Sequence, residues 1–177
     1  PIPGDALDPA TFQHAVPLQT TFIHLTGVAH PSPAKAEQFR EIDQRSFEAS
    51  LHAALASRAS HFLYVSVAHP APVMREYITV RRHCESRLLQ SPIPATILRP
   101  WYILGEGHRW PYCLIPFYKI TEAIPATRAT AQRLGLVTRK QMLAALINAT
   151  LYPPAGPARI LEVPAIREAT SASASAL

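Results

Sequence analysis

Short runs of β-forming residues alternate along this chain with longer segments of helical periodicity. Apolar runs at 21–26, 61–66 and 95–98 are each followed within a few residues by Gly or Pro, as in buried parallel strands. Shorter runs at 136–138 and 158–163 add two further strands. The segments between the early strands have the length of crossover helices. This alternation predicts an α/β fold with a doubly wound, mostly parallel sheet.

The residue spacing identifies the inward face of the helix that is predicted after the second strand. At 100° per residue, one stripe joins five residues: Val73, Tyr77, Val80, Cys84 and Leu88. Arg81 lies on the same stripe, one turn after Tyr77. A guanidinium on an inward face needs a partner, because a buried unpaired charge is costly. With Ser66 at the end of the preceding strand, this pattern predicts a hydroxyl, a phenol and a cation near one crevice.

The segment 35–58 is predicted to form the longest helix. Its inner face is made of five residues: Phe39, Ile42, Phe47, Leu51 and Ala54. Asp43 falls in the middle of that face. A carboxylate there must be hydrogen-bonded or must shift its pKa, unless the position is a helix end or an interface.

The stretch from Ser66 to Arg81 resembles the active-site segment of the short-chain dehydrogenase/reductase superfamily, extended or atypical branch. That family has a Ser at the strand end and Tyr-x-x-x-Lys on the next helix. Ser66 and Tyr77 match this pattern, and Arg81 replaces the Lys. The resemblance extends to GDALDPATFQHAV, TFIHLTG and ILRPWYILGEG, so it covers most of residues 4–107.

The resemblance implies a Rossmann-like enzyme, an oxidoreductase or an epimerase/dehydratase, that uses NAD or NADP. Its substrate would be a small molecule with a carbonyl or hydroxyl group. In this reading Tyr77 is the general acid/base, Ser66 binds the substrate oxygen, and Arg81 supplies the nearby cation. A tyrosine with an ordinary pKa near 10 needs such a cation to lose its proton at neutral pH.

The resemblance also implies a set of cofactor contacts beyond Tyr77 and Arg81. Asp5 would lie beside the adenine ring, although a plain turn explains it equally well. Thr26 and Gly27 would mark the strand end at which the backbone passes close to the cofactor. Pro100 and Ile103 would flank the nicotinamide.

Two departures from the family pattern favour an alternative from another class. Arg81 stands where the family has Lys, and Asp43 stands where it usually has Asn. An Arg changes the geometry of a contact even though it keeps the charge. The alternative is a non-catalytic NAD(P)-binding regulatory or accessory-subunit module, such as the NmrA-like regulators.

Glycine is scarce, with six residues, and the sequence contains no G-x-G-x-x-G fingerprint. Because a dinucleotide-binding fold carries that fingerprint after its first strand, we expect an N-terminally truncated fold without its first βαβ unit. One domain is expected over 1–168, with a lid or substrate cap at about 106–135. The low-complexity tail at 169–177 is expected to be disordered.

Composition narrows the remaining function classes. The net charge is +5, but the basic residues are scattered, which suits an anionic cofactor and gives no reason to expect nucleic acid. Two cysteines without a motif indicate a reduced, cytoplasmic protein and no metal site. The aromatic and basic segment 109–119 suits a lid or a peripheral membrane contact, and we favour the lid. Oligomers are a further expectation, because a sheet without its first strand has open edges.

Overall fold

The computed structural model describes residues 3–29, 31–71, 73–104 and 133–174, with side chains as far as 169. The predicted lid at 106–135 lies outside the described residues except for its last three positions. Pro1, Ile2, His30, Pro72 and the last three residues also lie outside them.

Four parallel strands form the main sheet. They are β1 (Thr21–His24), β2 (His61–Val65), β3 (Ala95–Arg99) and β6 (Ala158–Glu162), in the spatial order β1-β2-β3-β6. A separate parallel pair joins β4 (Tyr102–Leu104) to β5 (Leu136–Thr138). The prediction of a mostly parallel α/β sheet is confirmed. Because parallel strands end at the same edge, the segments after β1, β2 and β3 meet there.

Helices cover both faces of this sheet. The segment between β1 and β2 is helical as α1 (Ala36–Gln38), a π-helical stretch (Phe39–Gln44) and α2 (Arg45–Ala56). The later helices are α3 (Arg75–Leu89), α4 (Arg139–Leu151) and α5 (Val163–Ala174). One core lies between the sheet and the π-helical stretch, α2 and α3. Phe47, Phe62 and Leu88 are at its centre. A second lies against α4 and α5 and includes Leu63 and Val163.

The start of α3 differs from the prediction. The helix begins at Arg75, after Met74 takes a left-handed backbone conformation with φ 60° and ψ 39°. Val73 therefore lies before the helix and is 52% exposed, so its assignment to the buried stripe was wrong. The rest of the stripe, from Tyr77 to Leu88, faces inward as the periodicity predicted.

Local capping signals in the sequence are realised at two helix starts. Asp8 accepts a hydrogen bond from the backbone N–H of Ala10, and Pro9 opens a short 3₁₀ helix. Thr138 and Gln141 form a reciprocal capping box at the start of α4. At the other end of the chain, α5 continues through residues 169–174, which we expected to be disordered.

No helix within the described residues has the length and apolar character that crossing a membrane requires.

Candidate functional site

A cavity of about 500 Å³ opens at the carboxyl ends of β2 and β3. Most of the residues in its described wall are apolar or aromatic, and Ser66, Tyr77 and Tyr102 among them carry hydroxyl groups. The described residues that line it are Pro31, Val65, Ser66, Val67, Met74, Tyr77, Pro100, Trp101, Tyr102 and Ile103. In open α/β sheets this edge is where ligands bind.

Ser66 and Tyr77 line the same cavity from different elements. Ser66 directly follows β2, and its backbone N–H donates to the carbonyl of Leu98 at 2.7 Å, which extends the pairing of β2 and β3 by one residue. Tyr77 reaches the cavity from the first turn of α3. The proximity of these two hydroxyl-bearing residues is a geometric fact. Their catalytic roles stay predictions.

The ring of Tyr77 is held between an aromatic side chain and a cation. Phe39 packs against it with ring centroids 5.0 Å apart, and the guanidinium carbon of Arg81 lies 5.1 Å from its centroid. Burial raises the pKa of Tyr77 above its ordinary value, Arg81 opposes that rise, and the Asp43 carboxylate adds to it. The phenol is therefore protonated at neutral pH.

Both terminal nitrogens of Arg81 are bound by protein groups, whereas its Nε has no partner among the described residues. Nη2 donates to Oδ1 of Asp43 in a close ion pair, and Nη1 donates to the hydroxyl of Tyr64 at 3.3 Å and to the carbonyl of Val65 at 3.0 Å. The side chains of Asp43 and Arg81 are 0% and 6% exposed. Burial alone would lower the pKa of Arg81, but Tyr64, Tyr77 and Asp43 raise it, so the guanidinium stays charged.

The Asp43–Arg81 ion pair leaves no room for a side chain at position 27. A Cβ built at Gly27 would collide with Nη2 of Arg81 and would lie 2.9 Å from Oδ1 of Asp43. The next backbone N–H, that of Val28, donates to Oδ2 of Asp43 at 3.2 Å. The sequence predicted that the backbone at Gly27 passes close to the cofactor; in the described structure Gly27 lies against the Asp43–Arg81 pair.

A second buried charge network lies one turn further along α3, and the sequence reasoning missed it. Glu85 accepts from Nε and Nη2 of Arg99 at 3.0 and 2.5 Å, and Nε2 of His69 lies 3.3 Å from the same carboxylate. Arg99 also donates to Glu162 at the end of β6, at 2.8 Å. The available signal was the i, i+4 spacing that puts Glu85 on the Arg81 face.

Ser66 lies near this second network, and its buried hydroxyl has no hydrogen-bond partner among the described residues. Burial would raise the pKa of Glu85, but its polar neighbours, chiefly His69 and Arg99, lower it to about 2. The carboxylate is therefore ionised next to a hydroxyl that lines the cavity. Glu85 and Arg81 are the two buried charged residues of α3.

The remaining predicted cofactor residues divide into two groups. Pro100 and Ile103 line the cavity beside Ser66 and Tyr77. Thr26 is exposed after β1 and is absent from the described lining. Asp5 caps a local turn, accepting from the N–H of Leu7 at 2.9 Å, and it too is absent from the lining.

Met74 is the one strained residue in the described cavity wall. Its left-handed backbone is uncommon for a residue with a long side chain, and such conformations cluster at functional sites. Because Met74 directly precedes α3, this conformation sets the direction in which the helix presents Tyr77.

No protein-family model and no curated protein matches this sequence. Solved structures do match. RMD from Pseudomonas aeruginosa, complexed with NADPH, is 18% identical with a TM-score of 0.64, over 92% of this chain and 68% of that one. UDP-N-acetylglucosamine 4-epimerase from Bacillus cereus is 13% identical with a TM-score of 0.63, over 90% and 63%.

A short-chain dehydrogenase/reductase superfamily protein from Agrobacterium tumefaciens with bound NAD is 14% identical, with a TM-score of 0.64 over 91% of this chain and 65% of that one. The chain thus spans roughly two thirds of the length of each of these three structures. It shares a Rossmann-like α/β fold with these three structures.

Proposed function

We propose that this chain belongs to an NAD(P)-dependent oxidoreductase or epimerase/dehydratase-like enzyme that acts on a small carbonyl or hydroxyl substrate. The observation that carries the proposal is the pairing of Ser66 and Tyr77 in one cavity at the carboxyl ends of parallel strands. Two similar folds support the cofactor, since one is a complex with NADPH and another holds NAD.

Each residue has a defined part in this proposal. Tyr77, protonated at neutral pH, donates a proton to the oxygen of the substrate, and Ser66 hydrogen-bonds the same oxygen. Pro100 and Ile103 supply an apolar wall for the nicotinamide. When bound, the dinucleotide supplies the hydride chemistry.

The described residues fit one end of the dinucleotide better than the other. The cavity of about 500 Å³ has room and apolar surface for the nicotinamide ring. The guanidinium of Arg81 is occupied by Asp43, Tyr64 and Val65, so a ribose would have to compete for it. The sequence has no glycine-rich turn to receive the pyrophosphate.

The alternative function, a non-catalytic NAD(P)-binding module, is favoured by the same ion pair. A site that ionises its tyrosine at neutral pH needs a cation directed at the phenol oxygen. Here the cation is paired with Asp43 and lies against the ring, and the pKa of Tyr77 is raised by burial.

Replacing one hydroxyl separates the two functions. In the complete natural protein, Tyr77→Phe should lower turnover of a panel of ketones and aldehydes with NADH or NADPH by about 100-fold or more, because general acid catalysis contributes that much. Affinity for the cofactor should stay within about twofold, since the ring that packs on Phe39 is retained. Steady-state kinetics measures the turnover, and calorimetry measures the affinity for the cofactor.

Tyr152→Phe is the matched control, because Tyr152 is an exposed tyrosine outside the described cavity lining. It should leave both quantities unchanged. Equal turnover in Tyr77→Phe and wild type would refute the enzymatic proposal. Cofactor binding without turnover of any carbonyl in all three proteins would support the accessory module.

A further inference from the structure

A buried ion pair lies directly behind the tyrosine of the cavity. We propose that Asp43 is a positioning residue: it holds the Arg81 guanidinium below the β1 exit and against the ring of Tyr77, and its own charge offsets the effect of that cation on the phenol. The significance for catalysis rests on the proposed function, but the arrangement itself does not.

The geometry leaves the guanidinium little freedom. One nitrogen is bound to Asp43, and another is bound both to the hydroxyl of Tyr64 and to the carbonyl of Val65. Gly27 closes the pocket from above, with no space for even a methyl group over the pair. Arg81 therefore ties β2 to the π-helical stretch, and moving the guanidinium would break these contacts.

Asp43 is placed to compensate the charge of Arg81 at short range. Two opposite charges in contact act on a third group almost as a dipole, so their combined field falls off faster than that of either charge. Within the part of the chain that the structure describes, the ionisable groups that face Tyr77 are Arg81 on its own helix and Asp43 on the π-helical stretch. Tyr64 on β2 approaches from the far side of Arg81.

This arrangement favours one direction of proton transfer. A tyrosine that keeps its proton at neutral pH can donate it to a carbonyl oxygen or to a leaving oxygen. It is a poor base for an alcohol, because its phenolate is not populated. The inference deepens the proposed function by naming its substrate class: a carbonyl compound that receives the proton of Tyr77.

The ionisation of Tyr77 can be observed without cofactor or substrate. Selective ¹³Cζ-tyrosine labelling and NMR give the titration curve of Tyr77, assigned by its absence in Tyr77→Phe. In Asp43→Asn we expect ionisation at a pH lower by about one unit or more, because an uncompensated guanidinium nearby favours the phenolate. If the wild type unfolds before Tyr77 ionises, the variant should ionise below that unfolding pH.

Two further variants make the result specific. Asp43→Asn combined with Arg81→Met should return the ionisation of Tyr77 to the wild-type pH or higher, since the liberated cation is gone. Glu41→Gln removes an exposed carboxylate from the same π-helical stretch and should change nothing. Circular dichroism at each pH confirms that every variant is folded, and a variant that is unfolded at pH 7 is replaced by Asp43→Ser.

The outcomes decide the proposal in either direction. It is overturned if folded Asp43→Asn ionises Tyr77 at the wild-type pH, or if the double variant keeps the lowered value. Because the titration needs no turnover, a negative result here is distinct from a failure of the proposed enzyme. Likewise, an inactive protein with a shifted Tyr77 would keep this inference and remove the enzymatic one.

Discussion

Gly27 is the residue on which the buried ion pair depends most directly. Its missing Cβ leaves the space that Arg81 and Asp43 fill, and any side chain must displace one of them. We expect Gly27→Ala to lower the free energy of unfolding by about 1–3 kcal/mol, the usual cost of forcing atoms into a packed site. Urea unfolding monitored by circular dichroism measures it.

Gly156 provides the matched control for this substitution. A Cβ added there meets nothing within 4 Å. Gly156→Ala should be neutral or stabilising by about 0.4–1 kcal/mol, because it reduces the freedom of the unfolded chain. Equal stability changes in the two variants would mean that the crowding at Gly27 is not what requires a glycine.

Single polar residues were predictable where the pattern around them was apolar. Asp43 and Arg81 stood out because a charge on an inward helical face needs a partner, and the structure pairs them with each other. Tyr64 was read only as a β-former, since a sequence does not reveal where a phenol hydroxyl ends. It proves to be a partner of Arg81.

His24 is a hydrogen-bonded histidine of the core. Its Nδ1 lies 2.9 Å from the hydroxyl of Ser50. Burial lowers the pKa of His24 to about 4, so the ring is neutral at physiological pH.

At the scale of elements, α3 carries two charge systems one turn apart. Arg81 connects it to β2 and the π-helical stretch, and Glu85 connects it to the ends of β3 and β6 through Arg99. The carboxyl ends of β2, β3 and β6 are thus tied to a single helix. This explains how a helix that begins at a strained residue can hold Tyr77 in place.

The Glu85 network predicts a defined acid sensitivity. The folded pKa of Glu85, about 2, lies below its ordinary value of 4.5. Its contribution is therefore complete above pH 4.5 and is lost as the pH falls toward 2, a difference of about 3 kcal/mol. Glu85→Gln should cost about 3 kcal/mol at pH 7. Its disadvantage relative to wild type should shrink below pH 4.5, as urea unfolding at pH 7 and pH 3 can measure.

Glu76 on the same helix is the control for this effect. It is half exposed and lies 3.7 Å from an equally exposed Arg40. Because exposed ion pairs contribute little, Glu76→Gln should change stability by less than about 1 kcal/mol at either pH. A stability difference between Glu85→Gln and wild type that does not depend on pH would contradict the assignment.

Element boundaries were less accessible from sequence than element types. The helix at 35–58 was expected as a regular one, whereas the structure has a π-helical stretch around Asp43. That wider turn buries both Phe39 and Asp43, and leaves Ile42 only half-buried. Periodicity also placed Val73 on α3, because a count of 100° per residue cannot register a left-handed residue at the helix start.

At the scale of the whole molecule, the parallel sheet and the cavity at its carboxyl edge followed from the alternation of strands and helices. A single sequence could not show which partner each charged residue has. Asp43 and Arg81 are 38 residues apart in the sequence, and only the packed fold brings them into contact. Arg81 is consequently paired with Asp43 outside the described cavity lining, and the predicted residues that do line the cavity are Ser66, Tyr77, Pro100 and Ile103.

The 177-residue chain has few groups with which to bind a whole dinucleotide. Its cavity offers surface for the nicotinamide end, its nearest cation is paired, and its sequence has no glycine-rich pyrophosphate turn. We therefore expect NADH and NADPH to bind with a Kd of about 1 mM or weaker by calorimetry, about −4 kcal/mol. Reduced nicotinamide mononucleotide, which lacks the adenylate half, should bind within a few-fold of both.

Light scattering should accompany that titration to detect association of the chain. Among the described strands β1 pairs only with β2, so its other edge is open. Ile23 and Leu25, 42% and 61% exposed at this edge, give the chain an apolar border that favours association. Micromolar binding of NADPH by a monodisperse monomer, with the mononucleotide far weaker, would contradict both expectations. It would mean that this chain holds the pyrophosphate with groups other than a glycine-rich turn.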